Sequence, residues 1–180
     1  MRTAGRNLDM KDATIPELLW PFARSIYAKA TALKDLNLEK SQRARLLEAI
    51  SDDIKKCTNF ISPEVSRAAL NEAARLTVDL RSKNWHNQRQ FDPDRKMFHF
   101  EHILPVSAMR QACLDECSEA SILDILKTRL RVAWILKTED AKLTRLGYRS
   151  KRDDPDAVYS EVGIELVECG APHLKRGEYF

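Results

Sequence analysis

From Thr14 to Leu80, apolar residues recur every three or four positions, the spacing of helices that bury one face. A first helix is expected to begin at Thr14, with Pro16 in its first turn. It runs through "ELLWPFARSIYAKATALKDL" with a kink at Pro21. A second covers "EKSQRARLLEAISDDIKKC", where Leu46, Leu47, Ile50 and Ile54 share one side. A third is expected to open at Ser62-Pro63-Glu64, with serine as N-cap and proline at the first helical position. Its buried stripe would be Val65, Ala69, Leu70, Ala73, Leu76 and Leu80.

Beyond residue 84 the period changes. The stretch 84–97 is polar, contains an Asp-Pro pair and has no apolar period, so it reads as a linker. "KMFHFEHI" alternates and suits a strand with two unlike faces. "SAMRQACLDECSEASILDILKTRL" is helical with a break near Ser118, and "RVAWILK" is an apolar strand flanked by charge. Thr138 is expected to cap a short helix, "EDAKLTRLG", that Gly147 stops, and Tyr159, Val162, Ile164 and Leu166 suit a closing strand. The fold class that follows is α+β and predominantly helical. A helical module over 1–83 would serve as a candidate DNA-binding arm, 84–97 as the linker, and 98–180 as a region of strands and short helices.

Composition changes this picture little. Hydrophobic residues make up 43% and charged residues 32%, enough apolar content for a core and too much for general disorder. Residues 1–90 hold 16 Lys/Arg against 11 Asp/Glu, and residues 91–180 hold 14 against 16, so the positive charge lies in the helical half. Arg43, Arg45, Lys55, Lys56, Arg67, Arg75 and Arg81 there suit a phosphate backbone or, since signs alternate, an ordinary solvated surface. No apolar run is long enough for a membrane span, and no hydrophobic signal core follows the first arginines. Cys57, Cys113, Cys117 and Cys169 form no secreted disulfide pattern, so a cytoplasmic protein with reduced thiols is expected. No glycine-rich phosphate loop is present, which argues against a nucleotide cofactor.

The chemistry concentrates in "FHFEHILPVS", Phe98 to Ser107. Hydrolysis of a phosphodiester needs an activated water and a cation that neutralises developing charge. A neutral imidazole takes a proton at pH 7, and a carboxylate is the hard ligand that Mg²⁺ or Mn²⁺ prefers. Adjacent strand residues point to opposite faces, so Glu101 and His102 would converge only at a strand end or bulge.

Glu101-His102-Ile103-Leu104-Pro105 resembles the first motif of the HNH endonucleases, and the order of strands and helix over 98–147 resembles their ββα-metal finger. The resemblance implies a metal-dependent DNA endonuclease, with His102 as general base and Glu101 as a ligand of Mg²⁺ or Mn²⁺, Zn²⁺ being less suited. The family normally adds an Asn mid-motif and a His or Asn from the finger helix. Here no asparagine follows Asn87, and the only later histidine is His173. Glu139 and Asp140, which open the expected helix, are therefore the candidate second ligands, with Asp124 behind them. As simple helix caps they would have no such role.

Arg145 and Arg149, just beyond that helix, and Arg110 are candidate phosphate contacts. Lys151 and Arg152 would instead pair with Asp153, Asp154 and Asp156 in a surface turn. His99 lies off the motif and is expected to face away from His102. His86 and His173 sit in polar segments with no chemistry assigned. Cys113 and Cys117 on one helical face, with His99 or His102, form an alternative zinc set, and a thiol paired with His102 an alternative nucleophile. The competing function is a non-enzymatic α-rich module that binds DNA or another protein, in which Glu101 and His102 are structural.

Overall fold

The computed structural model describes residues 13–167. Cys169 and His173 lie outside that range. Helix α1 (Ile15–Asp35) starts with a reciprocal cap: Thr14 Oγ1 accepts from the Glu17 N–H, and the Glu17 carboxylate accepts from the Thr14 N–H at 2.7 Å. Pro21 sits inside this helix. Helices α2 (Lys40–Cys57), α5 (Val106–Asp115) and α6 (Glu119–Arg129) pack with α1 around Leu19, Ile26, Ile50, Ile54, Met109, Ile122 and Leu126. The expected break near Ser118 is real, since Ser118 caps α6 by accepting from the Ser121 N–H.

Four strands form one mixed sheet in the order β2–β3–β1–β4. They are β1 (Glu64–Ser66), β2 (Phe98–His102), β3 (Val132–Leu136) and β4 (Leu166–Val167). β1 runs parallel to β3, and β2 antiparallel to it. β3 is internal and covered on both faces, as its unbroken apolar run requires. One face carries Val65, Phe98 and Trp134 under α3 (Arg67–Arg75) and α4 (Gln88–Phe91). The other carries Ala133 and Ile135 under α7 (Lys137–Arg145) and α8 (Pro155–Glu161). The chain is an α+β protein. None of the helices among the described residues is long and apolar enough to cross a membrane.

Several expectations shift. The third helix opens at Ser66, not Ser62: Ser66 Oγ accepts from the Ala69 N–H, and residues 64–66 are drawn into the sheet by pairing with β3. Leu80 then falls in a separate short 3₁₀ turn. Because β1 hydrogen-bonds to β3, the sheet spans the boundary expected at 84–97. That segment is not a bare connector. Asn84, Gln88 and Asp92 are buried in it, and the Asp92 carboxylate accepts from the Lys96, Met97 and Phe98 N–H groups. Gln88 Nε2 donates to the Phe98 carbonyl at 2.8 Å. Polar side chains organise this segment, which is why it lacks an apolar period. Tyr159 and Val162 belong to α8 and its cap, and only Leu166 of the expected closing strand is in β4.

Candidate active site

β2 is an edge strand, with His99 opposite Ile135 and Glu101 opposite Ala133. Alternation along the strand puts His99 and Glu101 on the face where α7 packs, while Phe98 and Phe100 turn to the Trp134 side. α7 follows β3 without a loop, so its first turn stands over the middle of β2. Asp140 is thereby brought beside His99 and Glu101. His99 Nε2 lies 2.9 Å from Glu101 Oε2 and 3.7 Å from Asp140 Oδ1. One donor atom from each of the three falls within 4.8 Å of the others.

One imidazole nitrogen and two carboxylate oxygens are a donor set suited to Mn²⁺, and with waters to Mg²⁺. Two cations already touch it. Arg152, only 3% exposed, donates through Nη2 to Glu101 Oε1 and through Nη1 to the His102 and Ile103 carbonyls. Lys137 Nζ lies 3.1 Å from His99 Nδ1. A charged ammonium only donates, so in this arrangement His99 Nδ1 accepts and Nε2–H points at Glu101. Holding a cation through Nε2 would require that proton to leave. Asp140 and Glu101 would supply the oxygen donors to a cation there, Glu101 through oxygens that already accept from His99 and Arg152, and the His99 contribution depends on its tautomer. Burial alone would raise the Glu101 carboxyl, but the hydrogen bond from His99 and the Arg152 guanidinium outweigh it and hold the group below its usual range.

His102 ends β2. Its Nε2 is buried and meets no hydrogen-bond partner among the described residues. Burial is the chief reason its pKa falls below the ordinary histidine value; the Glu101 charge opposes the fall, and Lys55 reinforces it. The imidazole is thus neutral at pH 7 with an uncommitted nitrogen. His102, Glu101, Asp140 and Arg149 line one cavity of about 610 Å³, which also receives the N-terminus of α5 at Val106 and Ser107. At the strand end His102 borders a second cavity as well, on the Phe100 side.

The remaining sequence candidates separate from this site. Glu139 is a cap: its Oε2 accepts from the Leu136 N–H at 2.7 Å and from Ser66 Oγ at 2.6 Å, tying α7 to β1. That role had been expected of Thr138, which is exposed. Asp124 lies on α6 near Lys127. Arg110 Nη1 donates to Ser51 Oγ across the α5–α2 contact, and Arg145 is exposed and does not line the cavity. Arg152 is no surface residue; Asp154 instead caps α8, and Asp156 pairs with Arg131.

Arg45, Lys55, Arg67 and Arg75 of the expected basic arm pair with Glu48, Asp52, Glu165 and Glu72. Cys113 is buried in α5 and Cys117 lies beyond its end, so they do not share a helical face. Burial pushes the Cys57 and Cys113 thiols up to about 12, far from nucleophilic use. His99 and Arg152 are the residues that motif matching passed over. The His99-x-Glu101 spacing on a strand was the available signal for the first, since residues two apart share a face.

No protein-family model matches this chain, and no curated protein or solved structure matches it at a significant level.

Proposed function

We propose that this protein is a divalent-metal-dependent nuclease that hydrolyses phosphodiester bonds in DNA. The observation that carries the reading is the convergence of Glu101 with Asp140, from elements separated in sequence by two helices and a strand, beside a cavity that is also lined by a neutral imidazole. β2, β3 and α7 occur in the order of a ββα-metal finger, with α5 and α6 inserted between the strands. In this reading Asp140, in the first turn of α7, would take the part that the HNH resemblance gives to an Asn or His.

In this reading Glu101 and Asp140, with His99, hold the metal. The cation supplies charge neutralisation at the scissile phosphate. His102 accepts a proton from the attacking water, which its neutral state at pH 7 permits. Arg149 and the α5 N-terminus line the cavity that a phosphate would enter, the latter offering the positive end of its dipole. Incubating the purified protein with plasmid and with single-stranded DNA tests this: cleavage is expected with Mg²⁺ or Mn²⁺ and none with EDTA.

The pairing of Glu101 with buried Arg152 favours a second reading, a non-enzymatic module in which Glu101 is a structural counter-ion. Glu139 and Asp140 discriminate the two. Glu139→Ala removes a cap and is expected to lower Tm in EDTA by a few degrees, from a loss of about 1 kcal/mol, while keeping the stabilisation by Mn²⁺. Asp140→Ala is expected to change Tm in EDTA little and to abolish the Mn²⁺ increment. An undiminished Mn²⁺ increment in Asp140→Ala removes Asp140 from the ligand set.

A further inference from the structure

The second cavity, on the Phe100 side of β2, has a different character from the first. Its volume is about 570 Å³, and its walls include Lys55, Lys56, Trp85, Arg95, Phe100 and Lys137. Among the described residues no acidic side chain lines it, whereas Glu101 and Asp140 line its neighbour. Trp85 is 41% exposed, a large aromatic surface left in a cationic groove. The Arg95 guanidinium lies 6.0 Å from its ring centroid, and the His86 ring 4.0 Å away.

One residue of the groove carries a polar atom that the fold leaves unused. Arg95 Nε is buried and meets no hydrogen-bond partner among the described residues. Arg95 is held at φ 52°, a left-handed conformation that costs a residue with a Cβ. The turn that imposes it is fixed by Asp92, whose carbonyl accepts from the Arg95 N–H and whose carboxylate accepts from the Lys96 N–H. The fold thus holds a strained arginine beside an exposed tryptophan, with a buried donor nitrogen unpaired.

We propose that this groove binds unpaired nucleotides of single-stranded DNA, a base stacking on Trp85 and phosphates meeting Lys56, Arg95 and Lys137. A stacking ring inside a groove needs a base that is not already stacked in a duplex, and a row of cations tracks a backbone. His99 and His102 line both cavities, so a strand held here crosses the β2 edge directly to Glu101 and Asp140. The inference rests on the nuclease reading and specifies its substrate.

The test is binding without turnover: fluorescence anisotropy of a labelled oligothymidylate of about 12 nucleotides, and of a duplex of equal length, both in EDTA. The single strand is expected to bind at least tenfold more tightly than the duplex. Trp85→Ala should weaken single-strand binding roughly 5- to 150-fold and leave its salt dependence unchanged, and Trp85→Phe should restore most of the loss. Replacing Lys56 with alanine should flatten the slope of log K against log salt by roughly 0.7. Melting curves establish that each variant is folded. Equal affinity for duplex and single strand, or full binding by folded Trp85→Ala, overturns the proposal. Binding through Trp85 with no cleavage in Mn²⁺ would instead retain the groove and remove the nuclease reading.

Discussion

Replacing His102 with alanine is expected to lower the rate of DNA cleavage by on the order of 10²–10⁴, the usual contribution of a positioned general base. Its pH dependence follows from burial. A base must be neutral to accept a proton, and the buried His102 imidazole resists charging, so its pKa lies below 6.5. The acid limb of kcat/KM should therefore fall below pH 6.5, with a plateau across pH 7, and should vanish from the residual activity of His102→Ala. The same shift has a stability sign. Below pH 6.5 the unfolded chain takes up a proton that folded His102 refuses, so acidification costs the wild type stability that the variant does not lose. His102→Ala that cuts at the wild-type rate would remove the base assignment while leaving the metal ligands in question untouched.

The largest effect on stability is expected from Arg152→Ala. The Arg152 side chain is buried and joins the end of β2 to the segment before α8, donating to Glu101, to the His102, Ile103 and Tyr148 carbonyls and to Tyr159. Removing it leaves a mostly buried carboxylate and several carbonyls without their donor. A loss of about 3–5 kcal/mol follows, a fall in Tm of roughly 6–20 °C for a chain of this size. Replacing Glu101 and Arg152 together with apolar residues should recover part of it, because no buried charge is then stranded. The folded Glu101 carboxyl lies below its unfolded value, so its stabilisation is present above about pH 4.3 and is lost as pH falls through the folded pKa. In Arg152→Ala the loss should begin at higher pH. Melting curves from pH 3 to 7 measure both effects, and a variant within about 1 kcal/mol of wild type would contradict the buried-pair account.

Most of the helical scaffold was legible because the period of α1, α2, α5 and α6 matches the face each buries. β3 was legible for the opposite reason: an internal strand needs no polar face. What sequence reading lost depended on long-range partners. Pro63 and Glu64 are cues for a helix start, yet β3 and β4 provide hydrogen bonds on both sides of residues 64–66 and win. The 84–97 segment reads as a linker because its order comes from Asp92 and Gln88, polar groups whose backbone partners no periodicity reveals. At the site, Glu101, His102, Asp140 and Arg149 were named from local pattern and do share a cavity. Glu139 and Asp140 could not be separated by sequence. Their directions are set by the packing of α7, which turns one to Leu136 and Ser66 and the other to β2. Arg152 was hidden by the acidic residues around it, since a buried arginine and a surface one look alike in "KRDDPD".

The central claim is that His99, Glu101 and Asp140 form one divalent-cation site. Calorimetric titration of Mn²⁺ into the wild type and into Asp140→Ala tests it without reference to substrate or turnover. One site is expected in the wild type, with binding weakening as pH falls because protons compete for the donors, and none in the variant. The absence of a binding isotherm in the wild type, or identical isotherms for the two proteins, would contradict it.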